Sequence, residues 1–142
     1  MSSAIIVFTA ESRDEILGNG GSQSWAVSRE RAQKQEYLIC VRNAHNALSD
    51  GDEQHGTAFL IGRISQVVAA LHPKRPHEAG RWMIQISEYV DVNITDVWRG
   101  WRNPIRYTSL EAIGIEPASL TFGIVGQDQI GSRQAGPVGG LR

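Results

Sequence analysis

The chain has 142 residues, of which 41% are hydrophobic and 20% charged, with a formal net charge of −1. That length suits one domain around one core, and the composition is that of an ordinary globular protein. Near-neutral charge argues against a sequence-blind binder of duplex nucleic acid, which needs a strongly positive face, but it leaves room for a small basic pocket.

Ala4 to Thr9 is a short apolar run rich in β-branched residues and reads as a buried strand. Ser12-Arg13-Asp14-Glu15 has the spacing of a capping box, with acids in the first turn. It predicts a brief helix through Leu17 that stops at Gly18. Gly18 to Ser22 then reads as a loop, with Trp25 just beyond it. Ser28 can cap a second short helix through about Gln35. Glu36 to Arg42 is a second strand and contains Cys40, the single cysteine. One cysteine allows no intrachain disulfide, and a reduced thiol packed as a small hydrophobe in a cytoplasmic setting is expected.

Asn43 to Gly56 is polar and reads as an exposed loop. Thr57 to Val68 predicts a long strand, with Gly62 marking a bulge or tight bend. His72 to Gly80 holds two prolines and reads as a loop. Arg81 to Ile94 predicts another long strand. Trp82, Ile84, Ile86, Val90, Val92 and Ile94 share one parity and hence one face, provided no bulge intervenes. Glu88 breaks that face. A carboxylate there needs a partner or water: Arg102 and Arg106 are candidates, and a bulge that turns Glu88 to solvent is the alternative.

Trp98 to Tyr107 concentrates three arginines, two tryptophans and a tyrosine around Gly100 and Pro104. Arginine donates in a planar fork and tryptophan offers a stacking face, so the segment can line a pocket for a flat or anionic ligand. It can equally be a corner, with indoles in the core and Arg99, Arg102 and Arg106 reaching outward. Pro104 predicts a turn and then a short strand in preference to a continuous helix. Thr108-Ser109-Leu110-Glu111 repeats the capping-box spacing and predicts a helix ending near Gly114. Leu120 to Val125 reads as a last strand. Residues 1–125 form the expected domain, and 126–142 a Gly/Gln/Pro-rich tail.

These elements predict an α+β fold: a curled, mostly antiparallel sheet or small β-barrel with short peripheral helices. No secretory leader is legible, and no apolar run is long enough to span a bilayer. Metal or cofactor binding is not indicated. His45, His55, His72 and His77 are scattered, Asp50-Gly51-Asp52 lacks the rest of a calcium loop, and Gly18-Asn19-Gly20-Gly21 is not a nucleotide fingerprint.

The strand Gly56-Thr57-Ala58-Phe59-Leu60-Ile61-Gly62-Arg63-Ile64, followed by Arg81-Trp82-Met83-Ile84-Gln85-Ile86-Ser87-Glu88-Tyr89, resembles the PUA-like β-barrel superfamily, which includes the PUA, ASCH and EVE domains. Gly100-Trp101-Arg102-Asn103 is similar to a G-x-R-N element of EVE domains, although there the element lies nearer the N-terminus. The resemblance implies a pocket for RNA or a modified DNA base, with a base near Trp25, Trp98 or Trp101 and phosphates near the arginines. The residues singled out for ligand binding are therefore Trp25, Glu88, Trp98, Trp101, Arg102 and Arg106, without a catalytic group. Two other functions fit the same residues. One is an accessory subunit that uses the Trp/Arg segment as a protein interface. The other is an enzyme using Glu88 with an arginine clamp on a phosphorylated or carboxylated small molecule. Oligomeric state is not legible.

Overall fold

The computed structural model describes residues 1–70 and 80–126. The loop predicted at 72–80, with His72 and His77, falls outside the described residues apart from Gly80, as does the tail beyond Gly126. The chain runs β1 (Ser3–Thr9), α1 (Arg13–Asn19), β2 (Gly21–Trp25), α2 (Arg29–Gln33), β3 (Tyr37–Arg42), β4 (Ala58–Ala69), β5 (Trp82–Ile94), β6 (Ile105–Ser109) and β7 (Gly123–Ile124).

The strands form one curled mixed sheet in the order β2-β5-β4-β3-β1-β6, with β7 on β5. β1 and β3 are parallel, and the other pairings among the described residues are antiparallel. The sheet makes a small half-barrel. Beyond β2, α2 bends toward the other end of the sheet, and the Arg31 guanidinium lies 3.7 Å over the Tyr107 ring of β6. That contact ties α2 to the β6 edge of the curl.

Both faces of the central strands are buried, which explains why their sequences do not alternate. All six residues of β3 are buried. On the concave side Ile5, Val7, Leu38, Cys40, Leu60, Ile84 and Ile86 pack with Ile16 and Leu17 of α1 and Ala32 of α2. On the convex side Ala4, Ile6, Ile39, Val41 and Ile61 are covered by Val97, Leu110 and Ile115, with Leu120 and Phe122 packed against them. Each fully buried Ile or Leu stabilises the fold by roughly 1.5–3 kcal/mol.

The helix signals work as local chemistry predicts. Ser12 Oγ accepts from the Glu15 amide at 3.0 Å, and α1 ends at Gly20, whose φ of 81° suits glycine. Ser28 Oγ likewise accepts from Arg31. Three expectations need correction. Gly18 to Ser22 is not simply a loop: Gly21 begins β2, which pairs with β5. The segment after Thr108 is not a capped helix. Thr108 belongs to β6, only a single 3-10 turn follows at Glu111–Ile113, and Glu111 instead accepts from the Ser2 amide and hydroxyl. The last strand shrinks to Gly123–Ile124, the two residues in ladder register with Tyr89 and Glu88 of β5; Val125 adds one amide bond to Ser87 O and the pairing ends there.

β5 carries the anticipated interruption. Arg63 pairs with Glu88 but Ile64 pairs with Ile86, so Ser87 is an extra residue. Its insertion flips the alternation. Ile84, Ile86 and Tyr89 face the concave cluster, whereas Val90, Val92 and Ile94 join the convex one. Gly62 is required beside this point, because a Cβ there would strike the Ile86 side chain.

Glycine substitutions on either side of the α1–β2 junction should have opposite effects. A Cβ at Gly21 would collide with the Ile84 backbone, which cannot move aside without breaking β5, whereas Gly18 has open space around it. Gly21→Ala should lower stability by about 1–3 kcal/mol in urea unfolding, and Gly18→Ala should raise it by about 0.5–1 kcal/mol.

Candidate functional site

A hollow of about 430 Å³ opens where the carboxyl ends of β1 and β3 emerge side by side. Its lining comes from five places in the sequence: Phe8 to Glu11 at the end of β1 and just beyond it, Gln23 to Trp25 of β2, Asn43, Asn46 and Leu48 after β3, Arg81 before β5, and Trp101, Arg102 and Pro104 before β6. Backbone hydrogen bonds hold these together. The Asn43 amide donates to Thr9 O and the Asp50 amide to Ala10 O, both at 2.9 Å, and Phe8 donates to Pro104 O at 2.9 Å.

Glu11 sits at the base of this hollow, 8% exposed. Its Oε1 accepts from the Thr9 hydroxyl at 2.9 Å and, through a very short hydrogen bond, from the Ser22 hydroxyl; Oε2 accepts from the Gln23 amide at 3.3 Å. Ser22 in turn accepts from Trp25 Nε1 at 2.8 Å. The chain of donors therefore fixes the Trp25 indole to the carboxyl group. Burial pushes the Glu11 carboxyl above its ordinary value, against the opposing pull of the Ser22, Thr9 and Gln23 hydrogen bonds. Cys40, fully buried nearby, has its thiol pushed up mainly by desolvation and further by Glu11.

Two features at this end of the barrel are costly. Ser24 holds φ at 74°, a left-handed value rarely taken outside glycine, and its buried hydroxyl has no hydrogen-bond partner. Arg81 Nη1 donates to the Ser24 carbonyl at 3.1 Å and steadies the strained turn. Arg42 is fully buried. Its Nε donates to Glu53 at 2.9 Å and Nη1 to Thr9 O at 3.1 Å, and its plane lies 4.3 Å from the Phe59 ring centre. Nη2 is unpartnered.

The residues singled out in the sequence separate into groups. Trp25, Trp101 and Arg102 line the hollow together. Trp98 does not; it stacks on Phe8 at 4.2 Å and meets Trp101 edge-on at 4.9 Å, anchoring the Trp/Arg segment to β1. The Arg106 guanidinium covers the other side of this segment, 4.1 Å from the Trp101 ring centre. Glu88 lines none of the three hollows described for the chain. Its partner is Arg63, directly across the β4–β5 ladder at 3.1 Å, in place of the anticipated Arg102 or Arg106. The Ser87 bulge turns it toward solvent, and its side chain is 40% exposed.

Glu11, Gln23, Ser24, Asn43, Asn46 and Arg81 went unmarked because nothing local distinguishes them. Arg42 had a signal: a charged residue closing an apolar run that is buried on both faces. His45 and His55, both in the loop between β3 and β4, stack at 3.6 Å, and the Ala44 amide donates to His55 Nδ1 at 3.1 Å. No group of three or more His, Cys, Asp or Glu residues suited to a metal occurs among the described residues. No helix among them is long and apolar enough to cross a membrane. No family model and no curated protein matches the chain.

Because its folded value is raised, Glu11 contributes stability that is fully present below the ordinary carboxylate range and is lost as pH rises through the raised value. The difference in melting temperature between wild type and Glu11→Gln should therefore shift in favour of the wild type as pH falls across that window; parallel curves would show that Glu11 does not titrate differently on folding. Arg42→Ala, which empties the space of a fully buried side chain and removes its bonds to Glu53 and the Thr9 carbonyl, should cost about 3 kcal/mol in denaturant unfolding.

Proposed function

We propose that this protein is a non-catalytic binding module of the PUA-like kind, and that the hollow at the ends of β1 and β3 receives a nucleobase, either from a single strand or as a modified base extruded from DNA. One observation carries the reading: indoles Trp25 and Trp101 line the same hollow as the amides of Gln23, Asn43 and Asn46 and the buried Glu11 carboxyl. A base has a flat π-face and an edge of alternating donors and acceptors, and these residue types answer both. The volume is within the range of small-ligand pockets. The fixed Trp25 indole and the strained Ser24 turn are what a preorganised site requires.

The lining residues argue for binding over catalysis. Glu11 is the only acid among them and no histidine joins it, so a second proton-transfer group is wanting there. A cytoplasmic setting, with Cys40 reduced, belongs to the same reading.

Tryptophan emission should change on titration with short single-stranded oligonucleotides or with nucleosides carrying modified bases. Trp25→Ala should weaken that binding by about tenfold or more, the loss of one stacked base. Asn43→Ala, at a residue outside the β-sheet ladder, should weaken it with the melting temperature unchanged. Emission unmoved by every such ligand, or both variants binding like wild type, would overturn the proposal.

A further inference from the structure

Trp101 has a second side. A separate hollow of about 350 Å³ lies on the convex face, lined by Ile6 of β1, Ile94 at the end of β5, Thr95 to Val97, Arg99 and Trp101 beyond it, Arg106 and Thr108 of β6, and Ala112 and Ile113. Its floor is apolar, through Ile6, Ile94, Val97 and Ile113. Its rim carries the hydroxyls of Thr95 and Thr108, the guanidinium groups of Arg99 and Arg106, and the carboxylate of Asp96. Two cations against one acid leave the rim positive.

The arginines here differ from others in the chain. Arg13, Arg42 and Arg63 each pair with an acid, whereas Arg99, Arg102 and Arg106 make no ion pair or hydrogen bond among the described residues. Arg106 is nevertheless held, because its face rests on the Trp101 ring. A guanidinium stacked by its face keeps its edge of N–H donors for an anion, in the fork geometry that fits phosphate oxygens. Trp101 lines both hollows, so its indole is a wall common to the two.

We infer that the convex hollow is a phosphodiester subsite: Arg99 and Arg106 grip the backbone phosphate of the nucleotide adjoining the one whose base enters the inner hollow, with Arg102 on the crossing between them. This rests on the nucleobase reading of the inner hollow. It assigns the Trp/Arg segment one task, that of a partition which sends base and backbone to opposite sides. It also accounts for a near-neutral protein needing only a few unpaired arginines gathered at one place.

The test uses the whole protein with a fluorescently labelled single-stranded eight-nucleotide oligomer and, separately, the free nucleosides. Arg99→Ala with Arg106→Ala should weaken oligomer binding about tenfold and flatten its salt dependence by about 0.7 per arginine in the log–log slope, and Arg99→Ala alone, at an arginine outside the inner hollow, should leave nucleoside affinity unchanged. Arg99→Lys with Arg106→Lys should restore most of the salt slope, since charge is retained, while the affinity recovers only in part, since the stacked fork is lost. Both arginines are exposed, so unchanged melting temperatures serve as the folding control. An alanine pair that binds the oligomer with wild-type affinity and salt slope, while Trp25→Ala has lost it, would overturn the phosphodiester subsite and leave the inner hollow standing. Wild-type protein that binds neither oligomer nor nucleoside would overturn both.

Discussion

The parallel pairing of β1 with β3 is the constraint on which the rest depends. Parallel neighbours need a long crossover, because a tight turn cannot bring the second strand back in the same direction. Here the crossover is α1, β2 and α2, and its apolar residues Ile16, Leu17 and Ala32 fill the concave face. The same pairing brings Thr9 and Arg42 level with each other, so two strands release their chains at one end of the barrel. The chains leaving these adjacent carboxyl ends part, α1 following β1 and a loop to β4 following β3, and the hollow lies between them.

That crevice is built at an energetic cost. A carboxyl group at Glu11 and a guanidinium at Arg42 are both buried near Cys40, and a hydrophobic barrel end would be simpler to stabilise. The hydrogen bonds to Glu11 from Thr9, Ser22 and Gln23 offset part of that cost. They also couple the end of β1 to β2 and, through Ser22, to the Trp25 ring at the far end of that strand. Arg42 does the same for the opposite wall, joining β3 to the β1 carbonyl and to Glu53 of the following loop. Polar burial here trades stability for a defined arrangement at the mouth.

The Trp/Arg segment is organised by its aromatic residues, and the arginines follow. Phe8 points to the convex side of β1 and receives Trp98 face to face, within 5° of parallel. Trp101 then meets Trp98 edge-on, the arrangement that ring quadrupoles favour. Once the indoles are fixed, Arg102 is left on the inner hollow and Arg99 and Arg106 on the outer one. Pro104 and the Asn103 side chain, which accepts from the Ile105 amide at 3.1 Å, turn the chain into β6 and against β1.

What the sequence by itself determined was local. β-branched runs gave β1, β3, β4 and β5; Ser12 and Ser28 gave the helix starts; Pro104 gave a turn before a short strand. Each depends on neighbours within a few residues, and the apolar content then required the sheet to curl and cover itself. The failures share a cause. β2 is polar and short, and it is a strand only because β5 offers an edge to Gly21 and Ser22. Thr108 was taken by β6 before it could cap a helix. Glu88 met Arg63 across a ladder whose register one extra residue had shifted. Tertiary structure alone decided which side chains share a hollow, because Glu11, Trp25, Asn43, Arg81 and Trp101 are up to ninety positions apart. Strand direction and register bring them together, and those are settled by the burial of the whole sheet.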